Sequence, residues 1–161
     1  MIRPLILVLA LSISCHAADE KVEDRPIRID QTDRDMNSAI AKARSTLDDF
    51  LKLADHPPAG SSGFKVKVMF RDRNGTEHFW VTPFKRYADR FAGVVANEPS
   101  VVTSVELGKV YPFTRDQITD WGYEKNGKQI GSYTVCVLFK KMPADEVARY
   151  KKDHGFECRD Q

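Results

Sequence analysis

Beyond its first seventeen residues this chain has no apolar run approaching the roughly 20 residues that a membrane-spanning helix requires, so no transmembrane segment is expected there. Neither sign of charge dominates, with 25 lysines and arginines against 23 acids. That balance gives no electrostatic footprint for nucleic acid or for an anionic membrane surface. Histidine is scarce, and His56, His78 and His154 share no metal-ligand spacing with one another or with a cysteine. The nucleophile-elbow, zinc-protease and phosphate-loop patterns are missing as well. No metal or cofactor is therefore expected, and the reading leans against an enzyme.

What is present begins with an address. In MIRPLILVLALSISCHA, Arg3 precedes an apolar run from Leu5 to Leu11, and small residues follow. This is the layout of a secretory signal peptide, with cleavage expected after Ala17. Cys15 raises the question of a lipid anchor, but Ser12 stands where such signals want a leucine, so anchoring is set aside. The expected location is periplasmic or secreted. Removing residues 1–17 leaves Cys136 and Cys158 as an even pair in an oxidising compartment, and neither lies in a C-x-x-C. A disulfide is the expected outcome, closing a loop for roughly 3 kcal/mol on the chain-entropy account.

Residues 18–31 are charged and poor in branched apolar side chains, the composition of an arm with at most a short strand at 27–29. Residues 32–161 form one expected domain. Met36, Ile40, Ala43, Leu47, Phe50, Leu51 and Ala54 recur at spacings of three and four, one stripe of a long helix capped by Thr32 or Asp33 and ended by Pro57 and Pro58. Its other face, with Lys42, Arg44, Asp48, Asp49 and Lys52, reads as solvated. Phe64, Val66, Val68 and Phe70 then alternate with Lys65, Lys67 and Met69, the period of a half-buried strand. A two-residue loop at Asn74-Gly75 would oppose Phe70 to Phe79, Val68 to Val81 and Met69 to Trp80, although it sets Asp72 against Glu77. Further strands are expected at 90–96, 100–107 and 109–113, with a capping box between Thr114 and Gln117.

The stretch ITDWGYEKNGKQIGSYTVC (118–136) reads as a hairpin turning at Asn126-Gly127, with Tyr123 opposite Ile130 and Gly122 opposite Gly131. Two facing glycines leave a bare patch for a ring or another chain. Residues 132–139 lose their alternation as a doubly covered central strand would, and 143–155 read as a short terminal helix between Pro143 and Gly155. The expected fold is α+β: a curved antiparallel sheet or small barrel of six to seven strands, with the long N-terminal helix packed on it and a short C-terminal helix.

Four phrases in order, EHFWV (77–81), GVVANEP (93–99), ITDWGY (118–123) and NGKQIGSYT (126–134), resemble the YegJ-like DUF2314 family, a bacterial domain of unknown function. MNSAIAKARSTLDDFL (36–51) is similar to its leading helix. The resemblance, from Met36 to Phe139, implies a bacterial exported member and supplies no activity, cofactor or catalytic residue. It directs attention to Asn97, Glu98, Pro99, Asp120, Trp121 and Gly122 at element ends, where sites tend to lie and where structural turns produce the same signature.

Two chemistries compete for these residues. Glu98 and Asp120 are the best acid pair for an envelope-directed hydrolase, against the blander reading that both satisfy turn amides. Trp80, Trp121, Tyr123 and Tyr133 are a candidate stacking platform, against the commoner role of aromatics in a core. The favoured reading is a non-catalytic module that recognises another envelope protein or component. By analogy of size and location alone, that partner includes the case of a secreted toxin met by an immunity or inhibitor protein. The export reading has a direct check. Protein recovered from the envelope fraction should begin at Ala18 and show no thiol labelling at Cys136 or Cys158 by mass spectrometry. An intact Met1 with both thiols labelled would overturn it.

Overall fold

A computed structural model describes residues 32–158; the expected signal segment and the charged arm with its short strand fall outside the described residues. Helix α1 (Arg34–Ser45) starts where Asp33 accepts the Met36 amide at 2.9 Å. The apolar stripe then runs on as expected, but the helix does not. Thr46 bonds its hydroxyl back to the carbonyls of Lys42 (3.0 Å) and Ala43 (3.2 Å), and α2 (Leu47–Asp55) begins anew. A threonine hydroxyl competes with the helical ladder for those oxygens. The Trp121 indole takes up the freed Ala43 carbonyl at 2.9 Å, so the break and the tryptophan belong together.

The sheet comprises β1 (Ser61–Asp72), β2 (Gly75–Tyr87), β3 (Arg90–Val95), β4 (Val110–Thr114), β5 (Ile118–Lys125) and β6 (Lys128–Gly131), all pairs antiparallel in the order β4-β3-β2-β1-β5-β6. It is an open six-stranded sheet, not a barrel, because β4 and β6 remain separate edges. The Gly122–Gly131 and Tyr123–Ile130 pairs form as expected. In the first hairpin the register differs by two: Val68 faces Phe79, Val66 faces Val81, and Trp80 faces Lys67 instead of Met69. The cause is Asp72, which accepts the Asn74 amide at 2.8 Å and so places the loop at Arg73-Asn74. An even shift leaves every side chain on its expected face.

Two expected strands are absent. Residues 100–107 belong to a long loop that buries Val102 and Val105 in the core, yet its amides pair with carboxylates and not with a strand. Glu77 accepts from the amides of Ser100, Val101 and Val102, and Asp72 from those of Thr103 and Ser104. Residues 132–139 are a helix, α3 (Tyr133–Phe139). Gly131 (φ 74) and Ser132 (φ 57) turn the chain out of the sheet after four residues of β6. The lost alternation was that of a helix packed on two sides.

The Thr114–Gln117 capping box and the terminal helix α4 (Ala144–His154, stopped at Gly155) form as expected. Cys136 on α3 meets Cys158 as a disulfide, with Cα atoms 5.7 Å apart. The core lies between one sheet face (Val66, Val68, Phe79, Val81, Trp121, Tyr123) and α1, α2 and the 96–109 loop.

Desolvation raises the Glu77 and Asp72 carboxyls, but donated amides outweigh it and hold both below their ordinary values. A depressed acid contributes stability that is present above its unfolded value and lost as pH falls through its folded value. The loop should therefore loosen progressively below about pH 4.5. Glu77→Ala leaves part-buried amides unpaired and should cost roughly 1–3 kcal/mol in urea unfolding. Glu98→Ala, at an exposed turn, should stay within about 0.5 kcal/mol. Equal effects would contradict this account of the loop.

Candidate functional site

Because β1 lies between β2 and β5, Lys67 is the direct cross-strand neighbour of both Trp80 and Asp120. All three side chains therefore stand on the sheet face turned away from α2, where Lys65, Met69 and His78 alternate beside them. Lys67 is 8% exposed. Its ammonium lies 4.6 Å from the Trp80 ring centroid and donates to Thr134 Oγ1 at 2.8 Å. Lys65 approaches the same ring at 5.0 Å and donates to Gln129 Oε1 at 3.3 Å. Trp80 is thus a half-buried plate flanked by two cations, and its own amide is held by Asn97 Oδ1 at 2.8 Å.

Asp120 is fully buried. One oxygen accepts the amides of Trp121 (2.8 Å) and Tyr133 (3.2 Å); the other accepts the amide (2.8 Å) and hydroxyl (2.6 Å) of Thr134. Burial pushes its carboxyl up, opposed by the nearby Lys67 charge and by these donors. Burial pushes Lys67 down, opposed by Asp120. Every contact to the carboxylate is a donor, so the geometry suits an ionised Asp120 facing an ionised Lys67 through Thr134. His78 accepts from or donates to Thr119 Oγ1 at 2.9 Å. Desolvation of its inner edge, then the positive charges of Lys67 and Arg44, hold it below its ordinary value, and its exposed outer edge moderates the desolvation.

This arrangement sorts the sequence candidates. Trp80 and Asn97 come together, with Glu98 exposed on the adjoining turn. Asp120 has no exposed surface, whereas Glu98 stands exposed on the turn after β3. Trp121 and Tyr123 are 6% and 8% exposed beneath the helices, stacked on Phe50 (4.8 Å) and Phe64 (4.9 Å). Their aromatic reading resolves as core. The bare patch at the glycine pair is filled from within. A Cβ on Gly122 would meet Ser132 Oγ at 2.4 Å, and one on Gly131 would meet the Trp121 ring at 2.6 Å. A ring does approach there, and it is the chain's own. Among the described residues no cluster of histidine, cysteine, aspartate or glutamate could hold a metal.

Lys65, Lys67 and Thr134 were not singled out from the sequence, and His78 was weighed only as a metal ligand or base. The alternation in FKVKVMF did carry the lysines to the outer face; their meeting with Asp120 and Trp80 needed the pairing of three strands.

The chain belongs to a recognised bacterial group. Residues 33–158 match the family described as an uncharacterized protein conserved in bacteria, DUF2314, and the chain is a member of that family. Among its relatives, the uncharacterized protein YegJ of Escherichia coli (strain K12) is 31% identical over 144 residues, covering 89% of this chain and 93% of that one. A putative ankyrin repeat protein of Neisseria meningitidis serogroup B is 28% identical over 140 residues, covering 82% of this chain but only 55% of its own length. No solved structure matches.

Asp120→Asn places an amide donor against backbone donors and strips Lys67 of its counter-charge. It should destabilise the fold by roughly 3–5 kcal/mol in denaturant titration, whereas Glu98→Gln should leave the midpoint unchanged. A stable Asp120→Asn protein would return Asp120 to the list of functional residues.

Proposed function

We propose that this chain is an exported, periplasmic, non-catalytic binding module that recognises another envelope protein through the outer sheet face around Trp80. The observation that carries the reading is the half-buried Trp80 ring, braced by Lys65 and Lys67 and backed by the Asn97 side chain. Tryptophan held rigid on a partly exposed sheet is a typical anchor of protein interfaces, since it supplies large contact area at little entropic cost. The nearby positive charge of Lys65 favours an acidic surface on the partner. Asn97 and Glu98 border the same face at the turn after β3.

The export part of the reading is supported by the paired cysteines, which an oxidising compartment sustains, and by the N-terminal sequence. No helix among the described residues is long and apolar enough to cross a membrane. An immunity or inhibitor role against a secreted toxin is one form of this reading.

The test uses immobilised mature protein exposed to envelope extract, with bound proteins identified by mass spectrometry. A partner held by the wild type should be lost at least tenfold with Trp80→Ala and with Lys65→Glu, both checked for native circular dichroism. A bound set that is the same for wild type and both variants would reject the Trp80 face.

A further inference from the structure

A cavity of about 530 Å³ is lined by residues of α1, α3 and α4 and by Cys158 beyond α4. Its floor is apolar: Ala39, Val137, Phe139, Val147 and the disulfide of Cys136 with Cys158. Its mouth carries Lys42, Lys140 and Lys151 and a single acid, Asp35. Asp35 is already paired with Lys140 at 2.7 Å, which leaves Lys42 and Lys151 with no carboxylate partner among the described residues. An apolar hollow of this size with a few converging polar groups is the ordinary form of a small-molecule site. The charge at its mouth is unbalanced in one direction.

We infer that this hollow binds a single-chain aliphatic carboxylate, with the hydrocarbon tail lying against Ala39, Val137, Phe139 and the disulfide and the head group between Lys42 and Lys151. Three observations converge on that chemistry. The lining away from the lysines is mainly apolar, with the cysteines spent on each other and hydroxyls only at Ser38 and Tyr133. The two spare ammonium groups, Lys42 on α1 and Lys151 on α4, both line the hollow and offer an anionic head group two cations from different helices. The volume of about 530 Å³ is within the usual size of ligand pockets. The site shares no residue with the Trp80 face, and the inference stands or falls independently of the proposed function.

The test is isothermal titration of the mature protein with dodecanoate, and with dodecanol as the uncharged control. Dodecanoate should bind at one per chain and dodecanol at least tenfold more weakly. Ser38→Trp, which plugs the exposed rim without touching the core, should abolish binding. Lys42→Glu combined with Lys151→Glu should weaken it at least tenfold while leaving the thermal midpoint unchanged. Trp80→Ala should bind as the wild type does, which separates this site from the partner face. Absence of heat with dodecanoate, equal binding of dodecanol, or full binding by the plugged variant would each overturn the inference. Binding that appears only after residues 18–31 are removed would also overturn it, by showing that the chain's own arm is the occupant.

Discussion

Asp120 sits at the point where β5 loses its partner β6, and the four donors that converge on it come from β5 itself and from the first turn of α3. A carboxylate buried this completely is tolerable only with its lone pairs filled and a counter-charge nearby. Lys67, reaching across from β1 through Thr134, provides that charge. The constraint propagates outward. It ends the sheet at β6 and starts a helix, and that helix brings Tyr133 edge-on against Trp121 at 5.5 Å. Trp121 in turn bonds the carbonyl at the α1–α2 break. One acid thereby sets the relation of sheet, α3 and leading helix.

A second pair of acids does comparable service at the opposite end of the sheet. Asp72 and Glu77, either side of the first hairpin turn, gather the amides of a long loop that covers the core with Val102 and Val105. Asn97 of GVVANEP holds the Trp80 amide, and Asp120 and Trp121 of ITDWGY are buried in the interior. The half-buried Trp80 ring belongs to a third family phrase, EHFWV, and stands on the outer sheet face.

Much of the fold was legible in local pattern. The leading amphipathic stripe, the alternation in β1, the second hairpin with its glycine pair, the capping box at Thr114 and the terminal helix all rest on interactions within a few residues of sequence. The misreadings share a cause. Residues 100–107 are rich in branched apolar side chains and look like a strand, but Glu77 and Asp72, more than twenty positions earlier, supply the acceptors a neighbouring strand would have supplied. Residues 132–139 look equally strand-like until Asp120 captures their leading amides. In the first hairpin, the loop moved by two because Asp72 bonded Asn74 locally, a preference that the more familiar Asn-Gly signal obscured.

The sequence by itself determined which residues of the leading stripe and of β1 and β2 face the interior, and where the hairpin turns fall to within two positions. Those properties follow from periodicity and local hydrogen bonding, which act between near neighbours. Only the tertiary structure decided that Asp120, Trp121 and Tyr123 are interior supports and that Trp80 and Lys65 are presented outward. That division depends on which strand lies beside β1 and on which helix closes over β5. Contacts between residues fifty or more positions apart set both, and no local pattern encodes them.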